Sequence, residues 1–307
     1  MGGGDYGLAL ALRDGLVEGP RLFYCGRVLS QTGGHADWRA IEEDEQSHCC
    51  GCTLRDQKLS VIVDGKDSII AAAREELRRG ANHLKILASG GIASPGDPVD
   101  NLQFSDDEIV AVVEEAQRHG VYVAAHCHPN EAIRRSIRLG VRTIEHATLI
   151  DADTARLLAE SSAYAVPTVA VLHALATDGH AFGLPPRSVA KAQQILGFAL
   201  EGLEHMRNAG VRVGFGSDFL GPQQDRQLEE LTLRREVFTA FEILRAATSV
   251  NAEILGATGK LGCVAPRAYA DLIAVRGNPL DDIGLLAAGG RHLSLVMKAG
   301  QVLGLAS

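Results

Sequence analysis

The sequence predicts an α/β protein, a (β/α)8 TIM-like barrel followed by a small β appendage, and three observations predict it. Short apolar runs rich in Val, Ile and Leu alternate with longer stretches of helical period from about Gly19 onward, the pattern of βα units around a parallel sheet. The chain has 307 residues and 46% hydrophobic content, enough to bury one barrel core. From about Gly259 the grammar changes to short strands divided by turn residues. The expected division is a barrel over residues 1–258 and the C-terminal part of the appendage over residues 259–307.

Along the chain, the first strand candidate is "RLFYCGRVL", around Cys25. The helical run "DSIIAAAREELRRGA" follows and stops at Gly80, glycine being the residue that closes helices in the left-handed conformation. After the strand candidate "HLKILASGG", Ser105 with Asp106, Asp107 and Glu108 forms a capping box. It opens a helix whose apolar stripe is Ile109, Val112, Val113 and Ala116 and whose stop is Gly120. "VYVAAHCH", "VRTIEHAT", "YAVPTVAVL" and "VRVGFGSD" complete six strand candidates, against the eight that a barrel needs. Between them lie the helices "NEAIRRSIRLG" and "ILGFALEGLEHMRNAG", ending at Gly140 and Gly210. "AFEILRAATSVNAEILG" reads as one more helix, ending at Gly256. Beyond it, "ADLIAVRG" and "LSLVMKAGQVL" are strands parted by "NPLDD". So few strands do not make a stable sheet by themselves, and their partners are expected from residues ahead of Met1.

The formal charge of −8 gives no basic field for a phosphate backbone, so nucleic acid is not an expected partner. No apolar run reaches the roughly eighteen residues of a membrane span, and "MGGGDYGLALALRDG" lacks the parts of a secretory signal. The expectation is a cytoplasmic protein with a small-molecule substrate, no membrane partner, and a sequence compatible with a homo-oligomer. Six cysteines in a chain of this length do not make a disulfide scaffold, and Cys25, Cys127 and Cys263 read as small buried hydrophobes. His48, Cys49, Cys50 and Cys52 are soft ligands close together, but structural zinc usually takes two separated pairs and no second pair follows.

In a barrel of this type, chemistry sits at the carboxyl ends of the strands. Lys85 lies within "HLKIL"; His126 and His128 end "VYVAAHCH"; Glu145 and His146 end "VRTIEH"; Asp218 ends "VRVGFGSD". Imidazoles, an amine and a carboxylate at four strand ends are ligand types that zinc and similar ions accept. Each has a plainer reading: a lone His is commonly a hydrogen-bonded structural residue, and a terminal Asp commonly caps the next helix. Lys85 resists the plain reading, because an ammonium among Leu84, Ile86 and Leu87 is costly to desolvate. His83, His119, His173, His180, His205 and His292 read as structural.

With these motifs in place, "QTGGHAD", "HLKILASGG", "VAAHCHPNEAI", "TIEHATLID", "VPTVAVL", "GFGSDFLGP", "EILRAATSVNAEILG" and "ADLIAVRGNPLDDI", the chain resembles the amidohydrolase superfamily. The likeness is to its imidazolonepropionase-like and Xaa-Pro dipeptidase-like branch and runs from about Gly2 to Val302. The resemblance implies two divalent metal ions, zinc first among candidates, bound by a carboxylated Lys85, His126, His146 and Asp218. It implies Asp218 as the catalytic proton relay, metal-activated hydroxide as the nucleophile, and His35 and His128 as substrate contacts. The family also has a His-x-His at the end of strand one. None is present here apart from His126-Cys127-His128, so by resemblance about fifty to seventy residues carrying the first two strands and most of a β-sandwich appendage are expected to be absent. One ion then keeps Lys85, His126 and His146, and the other only Lys85 and Asp218. Arg267 departs from the family pattern, where glycine is usual. The function implied is hydrolysis of amide or peptide bonds in dipeptides or N-acyl amino acids. The rival reading is a catalytically silent fragment or pseudoenzyme; a cyclic-amidine deaminase is disfavoured by the lysine on strand four.

Overall fold

The computed structural model describes residues 5–39, 59–94 and 96–304, which form two compact units, Met1–Ile144 and Glu145–Ser307. The elements in order are α1 (Asp5–Arg13), β1 (Val28–Ser30), β2 (Ser60–Ile62), α2 (Lys66–Arg78), β3 (Leu84–Leu87), α3 (Asp106–Arg118), β4 (Val123–Cys127), α4 (Asn130–Arg138) and β5 (Thr143–His146). Then follow α5 (Ala152–Glu160), β6 (Tyr164–Val166), α6 (Val169–Asp178), α7 (Pro186–Ala209), α8 (Glu229–Arg234), α9 (Ala240–Arg245), α10 (Asn251–Ile254), β7 (Leu272–Val275), α11 (Gly284–Ala287), β8 (Leu293–Lys298) and β9 (Gln301–Gly304). The fold is α/β, with a six-stranded sheet in the order β2-β1-β3-β4-β5-β6 and a three-stranded sheet in the order β7-β8-β9.

In the first unit β1 pairs in parallel with β2 and β3, and β3 pairs in parallel with β4, with Lys85 opposite Ala124 and Leu87 opposite His126. β2 is a strand that the sequence hides. Three residues are too short to show a period. α2 and α3 cover the sheet with Ile69, Ala73, Ile109, Val112 and Ala116, all essentially without solvent exposure, as the apolar stripe of α3 anticipates. Full burial of each larger aliphatic side chain stabilises by about 1.5–3 kcal/mol. The Ser105 capping box is present: the Glu108 N–H donates to Ser105 Oγ at 3.3 Å and the Ser105 N–H donates to Glu108 Oε2 at 2.7 Å. Glu108 Oε1 also accepts the N–H of Gly65, the residue that opens α2, at 2.7 Å.

Two strand expectations in the second unit are corrected. "YAVPTVAVL" is a strand only to Val166. Pro167 has no N–H for a ladder, and Val169 begins α6 instead. "VRVGFGSD" forms no strand and meets β6 in an isolated bridge, Ala165 with Val213. Its backbone is claimed by a side chain: Asn251 Oδ1 accepts the Phe215 N–H and Asn251 Nδ2 donates to the Phe215 carbonyl, both at 2.9 Å. The expected helix "AFEILRAATSVNAEILG" is present as α9 and α10, joined by a π-helical turn over Ala246–Val250.

"LSLVMKAGQVL" proves to be two strands, because Ala299 and Gly300, at φ 50° and 82°, turn the chain into a hairpin. β7 and β8 pair antiparallel with Ile273 opposite Val296. Arg267 has φ 70°, the left-handed region that explains why glycine suits that turn. Cys25 and Cys127 are buried as expected, whereas Cys263, in the turn-rich segment after α10, is exposed. The His48 to Cys52 cluster lies outside the described residues. Among the described residues no helix is long and apolar enough to cross a membrane.

Candidate active site

The alternation of a strand decides which side chains share a face. In the parallel register of β3 and β4, Lys85 and Leu87 face the same side as Ala124 and His126, and His128 continues that side past the strand end. Cys127 takes the opposite side, where its thiol meets Ser136 Oγ of α4 at 3.3 Å. The helix-facing residue is thus a small hydrophobe and the sheet-facing ones are imidazoles. Lys85 is half-buried, and no carboxylate among the described residues forms an ion pair with it.

His126 and His128 are 5% and 3% exposed. The His35 ring stacks on the His126 ring, centroids 4.5 Å apart at 24°, and the His128 ring meets His126 edge-on at 4.6 Å. Nε2 of His126 is 3.0 Å from the Gly90 carbonyl, which only accepts, so Nε2 carries the proton. In the neutral ring Nδ1 then holds the lone pair. His128 is fixed through its backbone N–H, which donates to Ser89 Oγ at 3.1 Å.

His35 is seated from several sides. Its N–H donates to Gln103 Oε1 at 2.9 Å, its carbonyl accepts from Ser30 Oγ at 2.5 Å, and its Nδ1 lies 2.7 Å from Ser94 Oγ and 3.4 Å from Asp97 Oδ2. Asp97 Oδ2 also accepts the Gly91 N–H at 2.8 Å. A Cβ at Gly91 would run into the His35 ring, and one at Gly90 into the Pro98 carbonyl, so both glycines of "ASGG" are required by close approach. Sequence reasoning missed Ser94, Asp97 and Gln103; the glycine pair after a strand was the available signal. Near the opposite end of β3, His83 stacks on Tyr122 with centroids 5.0 Å apart. Its Nδ1 is buried and has no hydrogen-bond partner among the described residues, and burial, assisted by the Lys85 charge, pushes its pKa down to about 4.

In the second unit candidate residues themselves sit on left-handed backbone, whereas in the first it falls at Ala36 and Phe104, next to His35 and Gln103. His146, Ala147 and Asp218 have φ of 72°, 49° and 57°. Non-glycine residues in the left-handed region cluster where a fold holds a functional geometry. His146 Nδ1 lies 2.7 Å from Thr168 Oγ1. Asp218 is exposed, and the neighbouring Phe219 is buried against Ala170 and Ala174 of α6. Arg234 and Glu230 are 1% and 0% exposed. Arg234 Nε donates to Glu230 Oε1 at 2.6 Å, and its two other nitrogens donate to the carbonyls of Gly214 at 2.7 Å and Pro167 at 2.6 Å. Burial pushes the Glu230 carboxyl up, against the pull of Arg234 and of the Ala170 N–H. Neither residue stood out in the sequence.

The structure thus gathers Lys85, His35, His126 and His128 on one side of the first unit's sheet, and places His146 and Asp218 in the second unit. Among the described residues no three His, Cys, Asp or Glu side chains close into a metal cage.

The amidohydrolase family model matches residues 1–303, and the chain belongs to the amidohydrolase family. It is 33% identical over 284 residues to the ochratoxinase of Aspergillus niger, a match covering 90% of this chain and 58% of that protein, so the chain spans little more than half the length of that relative. Among solved structures, a prolidase complexed with N-methylphosphonate-L-proline is 45% identical with a TM-score of 0.95, covering 99% of this chain and 74% of that one. A Xaa-Pro dipeptidase with methionine bound in its active site is 30% identical with a TM-score of 0.85, covering 96% and 71%.

Proposed function

We propose that the protein is a metal-dependent hydrolase that cleaves amide bonds in dipeptides or N-acyl amino acids, next to a free carboxylate. The observation that carries this reading is the placement of Lys85, His126 and His128 on one face of β3 and β4, with His126 held through Nε2–H in the tautomer a ligand needs. The prolidase and dipeptidase among its relatives supply the substrate class.

The residues present fit divalent metal in donor type. His126 would bind through Nδ1 and His146 through Nε2, since Gly90 and Thr168 engage the other nitrogen of each ring. Lys85 fits only as a carbamate, which exchanges its ammonium for an anionic pair of oxygens and so removes the cost of a half-buried cation. Asp218 would complete the set. Two divalent ions, zinc first, would supply Lewis acidity when bound, lowering the pKa of a water and polarising the scissile carbonyl. Asp218 would act as the proton relay, accepting a proton on a carboxylate oxygen and returning it to the leaving nitrogen. His35 and His128 are the donors to the substrate's carboxylate and carbonyl.

His126→Ala and His146→Ala are expected to lose metal and turnover together on a panel of Xaa-Pro, Xaa-Arg and N-acyl amino acid substrates. Elemental analysis beside kinetics decides it. Full metal occupancy with parent turnover in either variant removes that residue from the site. A parent that binds no metal and cleaves nothing in the panel favours the catalytically silent reading.

A further inference from the structure

We propose that Arg234 is a positioning residue: seated by Glu230, its guanidinium ties the backbone at Pro167 to the backbone at Gly214 and thereby fixes the two segments that carry Thr168 and Asp218. The inference rests on the proposed function and deepens it, by naming what holds the second unit's part of the site in place.

Two charges withdrawn from water are costly, and an apolar pair of the same volume is often as stable or more so. A pair buried this completely therefore asks for a reason beyond packing. The geometry supplies one. The three donor directions of a guanidinium form a rigid fork, and here each tine ends on a different element: Glu230 of α8, the carbonyl after β6, and the carbonyl that begins the loop to Asp218.

Pro167 is adjacent to Thr168, whose hydroxyl meets His146 Nδ1 at 2.7 Å. Gly214 is followed by Phe215, whose ring lies under the guanidinium at 4.8 Å and whose N–H and carbonyl are both held by Asn251. From Gly214 to Phe215 the chain is thus bonded at consecutive backbone groups, three residues ahead of the left-handed Asp218. Glu230 Oε2 accepts the Ala170 N–H at 2.6 Å, which pins the start of α6 to the same ion pair. A lysine at position 234 keeps the charge but has a single point of donation and cannot span both carbonyls.

The test uses the full 307-residue chain and two variants, Arg234→Lys and the apolar pair Glu230→Leu with Arg234→Met. Circular dichroism establishes folding; zinc affinity is measured by competition with a chromogenic chelator; kcat and KM are measured separately on an Xaa-Pro dipeptide. The expected result is folded protein whose zinc affinity falls by about 10–100-fold and whose kcat falls by the same order, with KM moving less than about threefold because the substrate contacts lie elsewhere. A residue that only stabilises would lower the melting temperature and leave zinc affinity and kcat unchanged in the folded protein. That outcome in both variants overturns the proposal, as does failure of both to fold, which would make the pair a stability element. Should Arg234→Lys alone fail to fold, the apolar pair carries the test with the same criteria. A parent that neither binds zinc nor hydrolyses the dipeptide overturns the proposed function, and the clamp with it. An active parent with indifferent variants overturns the clamp alone.

Discussion

The two units hold their candidate residues by different means. In the first, Lys85 and His126 stand on regular parallel strands, and the left-handed residues, Ala36 and Phe104, follow His35 and Gln103 and are not themselves candidate residues. In the second, His146 and Asp218 sit on left-handed backbone, braced by Arg234 and Asn251. A side chain on a strand inherits its direction from the pleat at no local cost. One on a left-handed residue is aimed by strain, of order 1 kcal/mol or more per residue, that the surroundings must offset. The first unit's contribution should therefore fail through steric intrusion, and the second's through loss of bracing.

The largest effect expected from this contrast is at Asp218. Asp218→Gly removes the proposed proton relay and should lower turnover by at least about 100-fold, while the strain it relieves should raise stability by roughly 0.5–1 kcal/mol. Opposite signs in kinetics and in urea denaturation would sharpen the comparison; loss of both together would break it for this residue. Next is Gly91→Ala, where the new methyl meets the His35 ring. Turnover should fall about 10–100-fold, with destabilisation of roughly 1–3 kcal/mol, so both quantities drop. Parent-like KM and kcat would take His35 out of substrate binding.

Thr168→Val keeps the shape and deletes the hydroxyl at His146 Nδ1. Metal affinity should fall by about 10-fold or more with little change in melting temperature. A smaller effect tests the buried His83. Its folded pKa of about 4 lies below the ordinary 6.5, so the unfolded chain takes up a proton that the folded chain refuses. The stability this histidine allows is present above pH 6.5 and is lost as pH falls from 6.5 toward 4. His83→Phe, stacked on the same Tyr122, should flatten that part of the melting-temperature profile; an unchanged slope rejects the assignment. Smallest is Arg267→Gly, which relieves a left-handed arginine and should stabilise by about 0.5–1 kcal/mol without touching kinetics.

How much of this was legible follows from the same contrast. β4 could be read from its letters, because alternation in "VYVAAHCH" assigns His126 and His128 to one face and Cys127 to the other before any coordinates. The α3 capping box was equally plain, since Ser105 and Glu108 are local partners. β2 was too short to show a period, and "TVAVL" after Pro167 looked like strand because valine favours strands while the helix it starts is decided by tertiary packing. Asp97 and Arg234 were invisible for a third reason. One lies in a loop and the other in a charged helix, and their partners at Gly91 and Pro167 are set only when distant segments meet. His146 and Asp218 were picked out by strand-end position and given their proposed role as ligands by the family resemblance, and nothing in the sequence announced that both would need φ above zero.

Glu108 has a consequence of its own. One carboxylate oxygen serves the start of α3 and the other the amide of Gly65, which opens α2, so two helices that pack on each other share an anchor. Native-state hydrogen exchange should show the amides of their first turns opening with one free energy rather than two, as a single cooperative block. Glu108→Ala should split that block: each helix then frays on its own schedule, and a protease that finds one opening finds the other no more often than chance allows.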